Sequence, residues 1–343
     1  MSLPELLGRL QRVDRIGVGG FATVWLYHDD ELDSDVAVKA LAENWAQRYD
    51  VRDRFLEEAR ILRRADSDHV VRVYDIGEAD GTPYFVMSYA DRGSLATLLE
   101  PGRPLPVDQT VDLVDQAAAG LSVLHGHGVI HRDIKPHNLL LSSRGTPLSS
   151  SGGTKLLVAD LGVAKAMLHA SGLTQVVGTP AYMAPEQATG APLDTRADVH
   201  ALGAVAYQML TGKLAREGGI GSLIDAKPPV AASTLAPLPP AVDSVLSRAL
   251  ATEPDDRWPD VGTFATALRT ALSDQTTVRR TPFVPAAAPL PARSAASTPE
   301  PLPQPPDAYR AGSSMRGWVL VVTCLIVLVA TFGVAYGLTR LVE

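Results

Sequence analysis

The segment that most constrains this chain is residues 131–138, His-Arg-Asp-Ile-Lys-Pro-His-Asn. So many polar groups around a proline must lie on one loop, which the rest of the fold has to present. Within six residues the loop carries a carboxylate (Asp133), an ammonium (Lys135) and a carboxamide (Asn138). Phosphoryl transfer uses these three kinds of group: one orients an attacking hydroxyl, one balances charge on the moving phosphoryl, and one holds a metal ion. An octapeptide can arise by chance, so its weight depends on what stands around it.

Upstream, Ile16-Gly17-Val18-Gly19-Gly20-Phe21-Ala22-Thr23-Val24 sets three glycines between apolar residues. Glycine suits a segment that approaches phosphate oxygens, because no Cβ stands in the way. Val36-Ala37-Val38-Lys39 alternates as a strand does and brings Lys39 to its end. Residues 50–65 have helical periodicity, with Phe55, Leu56, Ala59 and Leu62 on one face and arginines on the other. That helix offers Glu58, or Glu57 one residue earlier, as a partner for Lys39. Glu58 fits better, since Leu62 continues its inward face one turn later. Downstream, the apolar run 156–159 ends in Asp160-Leu161-Gly162, 27 residues after Asp133. Ala184-Pro185-Glu186, then Asp198 at the head of a strongly apolar helix, and Arg257 in Asp-Asp-Arg-Trp-Pro complete the series.

In this order the segments resemble the motifs of eukaryotic-like protein kinases. They are most similar to the transmembrane serine/threonine kinases common in actinobacteria. The resemblance covers residues 9–272 and implies an α+β, bilobal fold, with a β-rich N-lobe at about 9–88 and an α-rich C-lobe at about 91–272. It implies ATP with Mg2+ (or Mn2+), bound by residues 16–24, Ala37, Lys39 and Glu58, with Asn138 and Asp160 holding metal. Asp133 and Lys135 become the catalytic pair. Glu186 is expected to pair with Arg257, and Asp198 to brace the catalytic loop. The chain departs from the family at Ala22, which replaces a glycine and should stiffen the lid. It departs again at Leu161, which replaces a phenylalanine beside Gly162 in a packing position.

Lys135 marks a serine/threonine enzyme acting on protein substrates. Gly-Thr-Pro-Ala-Tyr resembles the family segment that faces the acceptor, so Thr179 is expected to bond towards Asp133 and Lys135. Arg132 marks the class regulated by activation-loop phosphorylation, since its guanidinium waits for a phosphate. Thr174, then Ser171, are the candidate acceptors.

Composition adds context. With 343 residues and 46% hydrophobic content the chain has enough material for two lobes. A net charge of −7, with no basic stripe outside the arginine face of residues 50–65, argues against nucleic-acid binding. The single cysteine, Cys324, cannot make an internal disulfide and fits a reducing compartment. His125, His127 and His131 crowd one region without metal-ligand spacing.

From residue 273 to 316 the chain becomes rich in Pro, Ala, Ser and Thr and loses all periodicity, as a disordered linker does. Thr276, Thr277 and Thr281 in it are candidate phosphosites, and in similar kinases such stretches dock phosphothreonine-binding modules of the forkhead-associated type. Residues 317–339 carry no charge. As a helix they would reach about 34 Å, enough to cross a bilayer. The flanking arginines place the catalytic part in the cytoplasm and the C-terminus outside. Residues 340–343 are then expected to form a short outer tail, without a sensor domain. Gly333 and Gly337 share a small-xxx-small spacing that suits a homodimer. Residues 142–154 read as an inserted surface loop. Residues 213–240 are rich in Gly, Ala and Pro, which suggests a short or displaced docking helix.

Overall fold

Alternation along one strand organises the first lobe. In β4 (Ser34–Leu41) Val36, Val38 and Ala40 pack with Tyr27 and Val86 on one face, while Ala37 and Leu41 join the main core on the other. Lys39 shares the second face by the two-residue period of a strand. The strand lies inside a six-stranded antiparallel sheet. Its order is β1 (Leu6–Leu7), β2 (Leu10–Val18), β3 (Ala22–Asp29), β4, β6 (Thr82–Ser88) and β5 (Val73–Ala79). Lys39 pairs with Val24 on β3 and with Phe85 on β6, so it sits two residues within the strand and not at its very end. The N-terminal residues Leu3 and Leu7 cover the outer face, and the Tyr27 hydroxyl donates to the Pro4 carbonyl at 2.7 Å.

The computed structural model describes residues 3–143, 154–162, 180–218 and 228–273. All of these belong to the first of two units in the chain, Met1–Pro282.

After β4 come a short helix α1 (Glu43–Ala46) and the long helix α2 (Tyr49–Arg64). On α2 the buried residues are Val51, Phe55, Glu58, Ala59 and Leu62, a stripe at helical spacing that rests on β5 and β6. The Phe55 and Phe85 rings meet at 5.0 Å. The stripe decides between the two glutamates: Glu58 is buried, whereas Glu57 pairs with Arg60 and Arg64 on the surface.

Helices dominate the second lobe: α3 (Val107–Gly126), α4 (Pro185–Thr189), α5 (Arg196–Thr211), α6 (Ala241–Ala249) and α7 (Val261–Ser273). Helix α5 is buried almost all round, as its apolar sequence requires, and α3, α6 and α7 pack about it. It ends at Gly212, whose φ of 68° and contact with Arg103 leave no room for a side chain; a Cβ would lie 2.5 Å from the Arg103 nitrogen. A two-stranded ribbon, β7 (Leu139–Ser142) with β8 (Lys155–Val158), carries the candidate site on its ends. It is bonded to the first lobe where Val71 N–H donates to Val158 O and Val158 N–H to His69 O, each at 2.9 Å. A single apolar cluster runs from α2 through β8 to α7.

Among the described residues no helix is long and apolar enough to cross a membrane. Of the expected linker 273–316, Ser273 instead closes α7; the rest of it and the apolar segment 317–339 lie outside the described residues, as do 144–153 of the inserted loop and 219–227 of the expected docking region.

Candidate active site

The loop between α3 and β7 is held from behind by one carboxylate. Asp198, fully buried in the first turn of α5, accepts from the backbone N–H of His131 at 2.8 Å and of Arg132 at 2.9 Å, and bonds His125 Nε2 at 2.8 Å. Arg132 has φ of 68°, a left-handed conformation costly to a residue with a Cβ, on the order of 1–3 kcal/mol. The bonds on its two sides hold it there: Asp198 takes its N–H, and its carbonyl accepts from Gln187 Nε2 at 2.7 Å. His131 is buried beneath. Its Nε2 lies 2.9 Å from the Ala159 carbonyl, which can only accept, so Nε2 carries the proton and Nδ1 faces the Asp133 N–H at 3.3 Å. Burial pushes the His131 pKa below that of a free imidazole, against the opposing pull of Asp198 and Asp133.

Asp133 stands at the front of this frame. Its carboxylate accepts from Lys135 Nζ at 3.0 and 3.2 Å and from Asn138 Nδ2 at 2.9 Å, while Asn138 Nδ2 also bonds the Asp133 carbonyl at 2.7 Å. A turn of 3-10 helix, Pro136–Asn138, folds the carboxamide back onto the carboxylate. The ammonium and the carboxamide predicted to act with Asp133 are thus both within hydrogen-bond reach of its carboxylate.

Opposite them, Lys39 Nζ lies 2.7 Å from Glu58 Oε1 and 2.7 Å from Asp160 Oδ1. Burial alone would lower the Lys39 pKa, but the Asp160 and Glu58 charges outweigh it and raise the pKa above the usual lysine range. Asp160 follows β8 with φ of 59°, a second left-handed residue in the site. Gly162 N–H donates to the His131 carbonyl at 3.0 Å, and a Cβ there would press within 3.2 Å of the Asp133 Cβ. A larger residue here would have to push the catalytic loop back by a few tenths of an ångström. Leu161 is buried in the main core, which agrees with a packing role.

The glycine-rich segment is the turn between β2 and β3, directly beside Lys39 in the sheet. Ile16 and Val18 are exposed, Gly17 pairs with Val24, and the Gly19 N–H donates to the Ala22 carbonyl at 2.9 Å. Thr23 and Val24 run into β3, Ala22 is buried at its start, and Ala37 lines the Lys39 face of β4.

The residues present fit a magnesium ion. Asp160 offers a half-exposed carboxylate, and Asn138, whose nitrogen is engaged with Asp133, keeps its amide oxygen for a cation. Among the described residues no cluster of three acidic, histidine or cysteine side chains forms a cage. Magnesium needs none, since it is commonly held by one or two protein oxygens together with water and substrate phosphates.

Behind the site Glu186 on α4 receives both Arg257 nitrogens, at 2.6 and 2.7 Å, as the sequence predicted. The arginine is further engaged by the carbonyls of Ala251, Thr252 and Arg196. Ser171, Thr174, Thr179, Thr276, Thr277 and Thr281 lie outside the described residues. Sequence reasoning gave no role to His125 or Gln187. The crowding of histidines near the loop was a signal for the first; a lone glutamine on a short helix was none for the second.

A family model described as protein kinase domain matches residues 10–258. Serine/threonine-protein kinase Pkn1 of Myxococcus xanthus is 34% identical over 79% of this chain, and serine/threonine-protein kinase PknB of Mycobacterium leprae is 34% identical over 74%. The chain spans 39% and 42% of those two relatives. The crystal structure of the Mycobacterium tuberculosis PknI kinase domain aligns with a TM-score of 0.62 at 28% identity, covering 79% of this chain and 99% of that domain. With its two lobes, its lysine–glutamate pair and its aspartate-centred loop all in family order, the chain belongs to the protein kinase family.

Proposed function

We propose that this chain is a serine/threonine protein kinase that transfers the γ-phosphoryl group of ATP to hydroxyls of protein substrates. The observation that carries this reading is the assembled pair of clusters, Lys39–Glu58–Asp160 and Asp133–Lys135–Asn138. Lys39, kept cationic by its two carboxylates, is placed to take the α- and β-phosphates. Asp133 is oriented by Lys135 and Asn138 so that a lone pair can accept the proton of the incoming hydroxyl. Lys135 brings positive charge to the phosphoryl as it moves. Asp160 and Asn138 would hold magnesium, which when bound neutralises charge on the β- and γ-phosphates.

Regulation and placement extend the proposal. Arg132, held next to Asp133 by Asp198 and Gln187, suits a switch in which phosphate on Thr174 or Ser171 closes the activation loop. The uncharged segment 317–339 and its flanking arginines suit a single membrane span with the catalytic part in the cytoplasm. Gly333 and Gly337 suit pairing of two copies. Thr276, Thr277 and Thr281 suit phosphorylation and capture by a forkhead-associated module.

The test is incubation of the purified chain with labelled ATP and Mg2+ or Mn2+, beside Asp133→Asn, with phosphate mapped by mass spectrometry. The expected result is phosphoserine or phosphothreonine in the wild type and none in the variant. A wild type that neither binds nucleotide nor transfers phosphate would overturn the reading.

A further inference from the structure

The tip of the glycine-rich turn is not tied down by its own strands alone. Trp45, on the short helix α1, donates its indole N–H to the Gly20 carbonyl at 2.8 Å, and its ring meets Phe21 at 5.1 Å. The Ala42 N–H, at the base of α1, donates to the Phe21 carbonyl at 2.8 Å. The Arg48 guanidinium also lies against the indole, 5.7 Å from the ring centroid. Arg48 in turn makes a two-point pair with Asp50 at 2.6 and 3.1 Å, and Asp50 stands in the first turn of α2. A continuous chain of contacts therefore runs from the turn over the phosphates, through Trp45 and Arg48, to the helix that bears Glu58.

We propose that Trp45 is a positioning residue that clasps the glycine-rich turn to helix α2, so that lid and Glu58 move as one. The inference rests on the nucleotide-binding reading above but is carried by separate contacts. A glycine-rich turn has much backbone freedom to lose on binding phosphates. A hydrogen bond and a ring contact made beforehand remove part of that cost. Linking them to α2 means that displacing the helix, and with it Glu58, also releases the lid. Neither Trp45 nor Arg48 touches the reacting groups, so their effect should appear in nucleotide affinity and backbone protection, with little change in the chemical step.

The experiment compares the full chain with Trp45→Phe, Trp45→Ala and Arg48→Ala by amide hydrogen exchange and by steady-state kinetics in Mg-ATP. The reporter amides are Gly19 and Ala42 for the lid and Arg52, bonded to the Arg48 carbonyl at 2.9 Å, for the first turn of α2. Trp45→Ala should speed exchange at both places and raise the KM for ATP roughly two- to tenfold, the loss of one hydrogen bond, with kcat changed less than about twofold. Trp45→Phe keeps the ring, guards against misfolding and should fall between. Arg48→Ala should loosen α2 more than the lid. Faster exchange in the lid alone, or in neither place, overturns the clasp. A wild type that binds no nucleotide would sink the kinase reading, while the exchange comparison would still decide the clasp.

Discussion

Lys39 lies between two carboxylates of different kind. The Glu58 side chain is 4% exposed and that of Asp160 is 49% exposed. The first is a buried partner inside the fold, and the second is open to solvent, as the proposed exchange of lysine for metal requires. Glu58→Gln removes the charge of the buried partner but keeps its shape, so Lys39 loses one charge-assisted bond of about 1.5–3 kcal/mol. The expected outcome is a ten- to hundredfold fall in kcat/KM for ATP in a peptide phosphorylation assay, with the fold retained by circular dichroism. Two buried imidazoles add a dependence on pH. Burial lowers the His131 pKa, and it lowers that of His200 further, helped by the nearby Arg257 and Arg216 charges. The unfolded chain takes up these protons near pH 6.5 while the folded chain refuses them. Their contribution is therefore complete above pH 6.5 and is lost as pH falls below it, by up to about 1.4 kcal/mol per pH unit for each histidine. Urea unfolding at about pH 7.5 and about pH 5 should show that loss, and His200→Phe should reduce it.

Helix α4 has five residues, too few to hold itself in water. Two contacts from other parts of the chain fix it: Gln187 to the Arg132 carbonyl, and Glu186 to Arg257. The arginine side chain is 0% exposed and the glutamate 7% exposed. Arg257→Leu would leave a buried carboxylate without its partner, at a cost of about 3–5 kcal/mol in urea unfolding, and Glu186→Leu added to it should recover part of that loss. Elements such as α2 were legible in the sequence because their stripe is local: Phe55, Ala59 and Leu62 repeat within one helix, and the same stripe singled out Glu58. The catalytic motifs were legible because each is a short run with a fixed order. Contacts across the fold were not. Asp198 reaching back to two amides of the loop was expected only from family resemblance, while His125 on that same carboxylate and Gln187 on Arg132 join residues 73 and 55 positions apart. The crowding of histidines drew attention to His125 but did not point to Asp198, and nothing in the local pattern marks Gln187. Helix α1 was missed for a related reason: four residues give no period to read, and its role comes from the turn it touches.

At the scale of the whole catalytic unit, the site sits where two differently built lobes meet. Residue 39 comes from the sheet and residue 160 from the ribbon of the helical lobe, and their ion pair crosses the junction. The apolar cluster beneath is continuous, so the lobes share a core as well as a site. A nucleotide seated at this junction contacts both lobes and is lost when either unfolds, so its binding energy stabilises the unit as a whole. At a ligand concentration of about 100 times Kd that stabilisation is about 2.7 kcal/mol. For a unit of this size it corresponds to a rise of roughly 5 °C in unfolding temperature. The same measurement separates the roles of the two aspartates. On the proposed assignment Asp133 serves the incoming hydroxyl and not the nucleotide, so Asp133→Asn should keep the full shift in Mg-ATP. On the same proposal Asp160 holds the metal, so Asp160→Asn should show a smaller shift that chelation of magnesium does not reduce further, whereas chelation should remove most of the wild-type shift. Equal sensitivity to chelation in the wild type and Asp160→Asn would show that magnesium reaches the nucleotide without this carboxylate. The metal assignment would then pass from Asp160 to Asn138 and the phosphates alone.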